Sequence, residues 1–391
     1  MVQVRINPFL ARTSAPPIPE SRAWADSYDG LRGSLLNLAQ AVPGDPPPQA
    51  LLDRIGAEAG RAETTTYGPI EGDAVLRTAL AADICAVYGS DVTMADVAIT
   101  AGCNQAFFVA MMALAAPGDA VMLPTPWYFN HKMTLDMLGI QACALPCRAE
   151  AGFVPDVEDA RRLIGSQTRA IVLVTPNNPT GATYPDATIH AFHDLCRETG
   201  LTLVLDETYR DFLPEGMAKP HSLLREPSWR DRVLHLHSFS KSYAVPGHRL
   251  GALVAAPTFI EEVAKVMDCQ QICPPRAAQG AIAWAIDGIA DWRAATRRRI
   301  NERAAVFRQA IAAIPGWQVS AIGAYFAYVR PPSDEPMRSL AARLARERGV
   351  LVLPGDYFTP SDAPDGHLRF AFANVGAERI AELPARLQGF A

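Results

Sequence analysis

Short apolar runs recur through the middle of the chain, at residues 97–100, 120–123, 140–145, 170–174, 201–205, 233–237 and 251–255. Each is four to six residues long and mostly apolar, without strict polar alternation except at His235 and His237, so both faces are expected to be buried. Longer amphipathic segments lie between several of them, with helices expected over residues 51–59, 74–88 and 106–115. Strands of this kind alternating with helices predict an α/β fold: a mostly parallel seven-stranded sheet covered by helices. The character changes near residue 290, where a long Ala/Arg helix over residues 291–313 precedes strand, helix, strand, strand, helix. That predicts a smaller α/β domain. Residues 1–48 carry Pro16, Pro17, Pro19, Pro43, Pro46, Pro47 and Pro48, and read as an extended arm that leans on something else. The expected division is a large domain over 49–289, and a small domain of 1–48 with 290–391.

Composition narrows the class. The chain has 391 residues, 49% hydrophobic and 20% charged, enough for a large core and two globular domains. A net charge of −5 argues against nucleic acid as a partner. No window has the length and apolarity of a membrane span, and the N-terminus lacks the apolar core of a secretory leader. The seven cysteines are scattered. Cys143/Cys147 and Cys269/Cys273 are four apart, but neither pair has a second ligand pair nearby. They are read as reduced thiols of a cytoplasmic protein, with no metal site.

Several common chemistries are absent by spacing. No two glycines are two residues apart, so no dinucleotide fingerprint exists, and no lysine follows a glycine, so there is no P-loop. No G-x-S-x-G elbow and no H-E-x-x-H motif occurs.

The remaining chemistry gathers around one lysine. The chain has four lysines, Lys132, Lys219, Lys241 and Lys265, against 32 arginines. An amine can lose its proton and attack a carbonyl, which a guanidinium cannot. Lys241 follows the run 233–237, lies among Ser238, Ser240 and Ser242, and precedes Arg249 by eight residues. A buried amine beside anion-binding groups suits an aldehyde cofactor with a phosphate tail. Other polar groups also fall where apolar runs end: Asn178 after 171–174, Asp206 with Tyr209 after 203–205, and Gly102, Cys103 and Asn104 after 97–100. Ligands of open parallel sheets sit outside the carboxyl ends of the strands, and a helix start after Gly offers N–H groups to a phosphate.

Ser-x-Ser-Lys-x-Tyr-x-x-Pro-Gly-x-Arg-x-Gly over 238–251, together with Asn-Asn-Pro-Thr-Gly over 177–181, resembles the fold-type I pyridoxal-phosphate-dependent aminotransferases of the class I/II family. The resemblance spans Asn37 to Arg369. It implies a transaminase moving an amino group between an α-amino acid and a 2-oxo acid, with pyridoxal 5′-phosphate as cofactor. By that resemblance Lys241 forms the Schiff base and shuttles the proton. Asp206 pairs with the pyridinium nitrogen, and Asn178 and Tyr209 with the ring oxygen. Ser238, Ser240, Arg249 and the backbone of Gly102, Cys103 and Asn104 hold the phosphate end. Tyr128 stacks on the ring, although Trp127 beside it is an alternative. Arg369 grips the substrate carboxylate with two bonds. The family also implies a homodimer in which Tyr67 reaches the neighbouring subunit's phosphate. Ala41 stands near the carboxylate subsite, where the family commonly has Gly.

Two other readings stay open: a lyase or decarboxylase on the same scaffold, and a cofactor-binding regulatory module, which the Pro-rich start disfavours. His235 and His237 alternate on one strand and read as satisfied core groups. Trp24, Trp127, Tyr128, Phe129 and Tyr325 supply an aromatic set for a substrate pocket, which leans towards a neutral or aromatic substrate, and Arg276 is a candidate for its side-chain end.

Overall fold

The computed structural model describes residues 4–363 and 365–390. Met1–Gln3, part of the segment expected to lack a leader, lie outside the described residues. Seven strands form the central sheet: β1 (Val97–Thr100), β2 (Ala120–Thr125), β3 (Gln141–Pro146), β4 (Thr168–Val174), β5 (Thr202–Asp206), β6 (Val233–Ser238) and β7 (Gly251–Val254). Their order is β1-β7-β6-β5-β4-β2-β3, and only β7 runs antiparallel to its neighbours. All seven apolar runs are strands, shifted at most two residues at their ends.

Alternation along the strands explains why the runs are apolar throughout. In β4, Ala170, Val172 and Val174 face one helical layer while Ile171 and Leu173 face the other. The helices introduced here are α1 (Gln49–Ala59), α2 (Ala74–Tyr88), α3 (Cys103–Leu114), α4 (Phe129–Leu138), α5 (Asp186–Thr199), α6 (Pro257–Gln271), α7 (Gln279–Gly288), α8 (Ala290–Ala312) and α9 (Met337–Arg348). Phe107 and Met111 of α3, with Ile260 and Val263 of α6, cover one face. Leu76, Leu80 and Ile84 of α2, with Phe192 of α5 and Ile282 of α7, cover the other. Burial on both faces is the main reason this sheet needs no polar alternation.

The second unit is a four-stranded antiparallel sheet. Its strands are β8 (Gln318–Gly323), β9 (Phe326–Arg330), β10 (Leu353–Pro354) and β11 (Leu368–Ala371), in the order β10-β11-β9-β8. The expected single strand after α8 is therefore a hairpin, β8–β9. No helix among the described residues is long and apolar enough to cross a membrane.

The N-terminal arm departs from expectation. It is not extended: residues Pro8–Arg12 and Pro17–Ala25 are helices. Proline fits the first turn of a helix, where its missing N–H is not needed, and here it opens both. Asn7 caps the first by accepting the Phe9 N–H at 2.9 Å. The arm leans on its own chain. Phe9 packs on Gly139, Glu20 pairs with Arg338 of α9, and Leu36–Asn37 pair in parallel with Val350–Leu351.

The two sheets meet at Gly181. A Cβ there would lie 2.4 Å from the Gly323 N and 2.6 Å from the Phe326 carbonyl oxygen, and its φ is +78°. Gly181→Ala is expected to destabilise the protein by about 2 kcal/mol or more, because neither backbone group can yield. Chemical denaturation measures this, and an unchanged midpoint would contradict the close approach.

Candidate active site

The carboxyl ends of four strands deliver the polar side chains. After β4, Asn177 folds the turn by accepting from the Thr180 N–H (3.1 Å) and hydroxyl (2.8 Å), and Asn178 next to it faces outward from the sheet end. Asp206 is the last residue of β5, with Thr208 and Tyr209 in the following turn. Ser238 ends β6 and caps one helical turn by accepting from the Ser240 N–H at 3.2 Å. That turn carries Lys241. Gly102, at φ +85°, caps α3. A Cβ there would meet the Arg249 guanidinium at 2.3 Å, so only glycine lets that cation lie against the helix start.

These groups line one cavity of about 150 Å³: Cys103, Asn104, Tyr128, Asn178, Asp206, Tyr209, Ser238, Ser240, Lys241 and Arg249, joined by Val174, Thr208 and Pro246. Ala41 touches it from the arm, accepting a 2.6 Å hydrogen bond from Lys241 Nζ. Arg369, on β11, donates to Asn178 Oδ1 at 3.0 Å and to the Ala39 carbonyl. Gly102 is not itself in the lining but immediately precedes Cys103, which is. Tyr67 is not brought to this chain's own cavity; it is 76% exposed.

Charge is unevenly distributed here. Lys241, Arg249 and Arg369 face a single carboxylate, Asp206. Burial pushes the Lys241 amine down to about 8, and the charges of Arg369 and Arg249 push the same way. Burial also pulls Arg369 down to about 10; it is 2% exposed, its Nε has no partner, and it makes no ion pair among the described residues. Burial works against the charge of Asp206. The hydrogen bond with His131 Nε2, 3.1 Å from Oδ2, and the Thr208 N–H, 3.0 Å from Oδ1, outweigh it and hold the carboxyl below its usual range. Tyr128 is pushed up to about 12, first by burial and then by Asp206.

His131 and Thr208 carry part of this site without having been singled out in the sequence. His131 lies three residues after Tyr128, one turn into α4, and stacks on Phe107 with ring centroids 3.8 Å apart. Nothing in the local pattern marks it, because its acceptor lies 75 residues away on β5. Cys103 is more than a packing residue: its thiol donates to Asp206 Oδ1 at 3.6 Å.

Other expectations are corrected. Of the aromatic set only Tyr128 lines the cavity. Trp24, Trp127 and Tyr325 are buried in the core and Phe129 packs against it. Arg276 points elsewhere, donating to Asp73 at 3.1 Å and to the Glu63 carbonyl at 2.6 Å, so it braces the loop around Tyr67. His235 is bonded to Glu207 at 2.9 Å, but His237 is not satisfied: neither ring nitrogen has a partner.

The residues present fit pyridoxal phosphate. Its anionic tail finds Arg249, the start of α3 and the Ser238–Ser240 turn; its ring nitrogen finds a carboxylate kept ionised; and its aldehyde finds a depressed amine. The comparisons agree. The family described as aminotransferase class I and II matches residues 34–387. Arginine–pyruvate transaminase AruH of Pseudomonas aeruginosa is 30% identical over 371 residues, covering 94% of this chain and 92% of that one. Aromatic aminotransferase ISS1 of Arabidopsis thaliana is 27% identical, covering 90% and 89%. Among solved structures, aspartate aminotransferase from Thermus thermophilus with maleate superposes with a TM-score of 0.90 at 26% identity, over 100% of both chains. The chain belongs to the class I and II aminotransferases. It is a pyridoxal-phosphate-dependent enzyme that moves an amino group between an α-amino acid and a 2-oxo acid.

The Lys241 amine gives the apoenzyme a pH signature. In the folded protein it titrates near 8, against 10.5 for an ordinary lysine. Between these values the unfolded chain holds more protons, so raising the pH stabilises the fold. The change is about 1–3 kcal/mol, discounted because the residue is partly accessible through the cavity. Unfolding free energies of the wild-type and Lys241→Met apoenzymes should diverge across this window, the wild type gaining on the variant. Parallel curves would show that the amine is not depressed.

Proposed function

We propose that the cavity holds pyridoxal phosphate on Lys241 and that its substrate is a neutral or aromatic α-amino acid. The observation that carries this is a depressed amine sharing a cavity with one ionised carboxylate and Arg249 at the carboxyl edge of the seven-stranded sheet, with Arg369 reaching Asn178 from the small sheet. When bound, the cofactor supplies an electron sink for the pair released at the substrate Cα. The protein's part is positional. Asp206, held ionised by His131 and Thr208, keeps a proton on the ring nitrogen. Arg249, Ser238, Ser240 and the N–H groups of Cys103 and Asn104 fix the phosphate, with Gly102 giving them room. Tyr128, Asn178 and Tyr209, which line the same cavity, would hold the cofactor ring. Lys241, near neutrality, can hold a proton at Nζ or give it up at working pH. Arg369 binds the substrate carboxylate, whose charge relieves an unpaired buried cation. Ala41 lies beside Lys241 at that end.

The substrate lean rests on what surrounds Arg369. The Phe326 and Phe358 rings lie 5.2 and 5.1 Å from its guanidinium, and Arg276 is engaged with its own loop. Arg276, the candidate for a second carboxylate, is therefore not offered to the substrate by this chain. Relatives include aromatic and arginine-specific enzymes as well as aspartate aminotransferases.

Two broader assignments accompany this. The large domain runs over 49–289, and the small one combines 1–48 with 290–391, supported by the separate sheets and by the packing of Pro17–Ala25 on α9. The seven free thiols suit the cytoplasm.

The active unit is a homodimer with shared sites. Tyr67 is exposed, and the Gly68 N–H meets Cys273 Sγ at 3.4 Å, which brings the exposed Ile272 alongside. Such an apolar patch suits a two-fold interface, where one contact set completes two equivalent sites.

Two experiments test these readings. Borohydride reduction of the holoenzyme followed by peptide mass mapping should place the cofactor on Lys241; a label on Lys132, Lys219 or Lys265 refutes the assignment. Mixing inactive Lys241→Ala with Tyr67→Ala under subunit exchange should restore activity above either parent, since one mixed site carries both defects and the other neither. Demonstrated heterodimers without recovery would rule out sharing.

A further inference from the structure

We propose that Asp365, His367, Tyr328 and Ser320, capped by Phe153, form a positioning network that sets Arg369 for the substrate carboxylate. The inference rests on the assignment of Arg369 as the carboxylate clamp and extends the clamp's machinery to residues that touch neither cofactor nor substrate.

The network begins in the strand register. Tyr328 on β9 is the cross-strand partner of Arg369 on β11, so the two side chains leave the same face of the small sheet. His367 precedes Arg369 by two residues and stacks flat on Tyr328, with ring centroids 4.9 Å apart and planes 10° from parallel. Asp365 ties the pair together. It accepts from the Tyr328 hydroxyl at 2.5 Å and bonds His367 Nδ1. The other ring nitrogen, Nε2, lies 3.0 Å from Ser320 Oγ. Ser320 stands where the β8–β9 register slips, the one residue between Val319 and Ala321 without a partner. A bulge re-aims a side chain, and here it presents a hydroxyl to the imidazole.

Two further features show that the arrangement is constrained from outside. Gly355 sits against it: a Cβ there would lie 2.8 Å from the Tyr328 oxygen and 2.9 Å from Asp365 Cγ. Phe153, from the segment between β3 and β4 of the large sheet, packs edge-on against both rings, at 5.4 Å from Tyr328 and 5.6 Å from His367. Phe153 is buried with φ +59°, a backbone conformation that costs a bulky residue energy and persists only where the surroundings hold it.

The Ser–His–Asp order is also that of a hydrolytic triad. Its setting favours positioning instead. The imidazole is stacked on Tyr328, with Phe153 edge-on to both rings, and the strand it anchors carries the clamp two residues on. Arg369 is otherwise oriented by one side-chain acceptor, Asn178, one carbonyl, Ala39, and the Phe326 and Phe358 rings, none of which fixes both prongs of the guanidinium. A two-pronged contact with a carboxylate tolerates little misplacement.

The test compares substrates with and without a carboxylate. Tyr328→Phe, His367→Phe and His367→Asn holoenzymes are assayed with phenylalanine and with 2-phenylethylamine, and 3-phenylpropanoate binding is measured by calorimetry. His367→Phe keeps the stack and loses both nitrogens. It should raise KM for phenylalanine, and Kd for 3-phenylpropanoate, by about tenfold while leaving kcat within about threefold, as expected for a displaced binding contact. Cofactor affinity and the half-reaction with the amine should not change. His367→Asn, which retains a donor for Asp365, should recover part of the loss, and Tyr328→Phe should show the same pattern more weakly. Equal shifts for acid and amine would indicate general loosening and overturn the inference, as would no shift in any variant. If Arg369→Lys abolishes 3-phenylpropanoate binding while the network variants do not, the clamp stands and the network falls. If Arg369→Lys has no effect either, the clamp assignment itself falls. Labelling of Ser320 by a fluorophosphonate would instead assign the triad to hydrolysis.

Discussion

An excess of positive charge around one cavity, from a buried Arg369, a half-buried Lys241 and an exposed Arg249, governs this structure. Lys241 and Arg249 line one cavity and Arg369 bonds Asn178 at its edge, while the cavity's one carboxylate among the described residues, Asp206, is already bonded to His131, Thr208 and Cys103. Cations enclosed by protein lose hydration, and their mutual repulsion is weakly screened. The depressed titrations of Lys241 and Arg369 express that cost. In the proposed function it is relieved by two anions arriving from outside, a phosphate at the Arg249 end and a carboxylate at the Arg369 end. The protein is therefore an incomplete electrostatic assembly, and its incompleteness selects doubly anionic occupants before any shape is considered.

Holding such groups apart requires rigid supports, and the sheet supplies them. Asp206 ends β5, and the next residue, Glu207, turns back into the opposite helical layer. There it meets Tyr88, His221 and His235. Burial works against the Glu207 charge, but the two imidazoles outweigh it and keep it ionised. Adjacent carboxylates on one chain thus face opposite layers, one fixed into the core and the other presented to the cofactor. The same alternation operates on β6, where His235 and His237 face the Glu207 layer and Ser238 begins the turn with Lys241. Side-chain period in a strand separates the groups that hold the backbone from the groups that act.

Much of this was legible in the sequence. The seven strands are recognisable because burial on both faces removes polar alternation, which leaves compact apolar runs. The residues at their carboxyl ends are recognisable because polar groups stop those runs. Asn178, Asp206, Ser238 and Lys241 fall in this class. The rest depends on contacts between distant segments. Arg369 and Asn178 are 191 residues apart, and in the sequence only resemblance to a family connects them. His131 looks like any polar residue on a helix until α4 is laid beside β5. The arm was misjudged for a different reason. Proline density suggests extension, yet proline at the first turn starts a helix, and Asn7 before Pro8 is a capping residue that the local sequence already displays.

The placement of Arg369 has a mechanical consequence. Its strand belongs to the four-stranded sheet, whereas its partner Asn178 follows β4 of the seven-stranded one. The two sheets touch nearby through backbone, at Gly181 and Gly323, and through side chains, at Phe153 with Tyr328 and His367. A carboxylate held by Arg369 therefore lies across the boundary between units. Its binding energy acts on the relative position of the sheets as well as on the ligand. On the proposed roles the cofactor residues sit on one sheet and the clamp on the other, so only a substrate with a carboxylate bridges the two. Selection for the α-carboxylate and correct assembly of the site are then one event, with the binding group remote from the bond being changed.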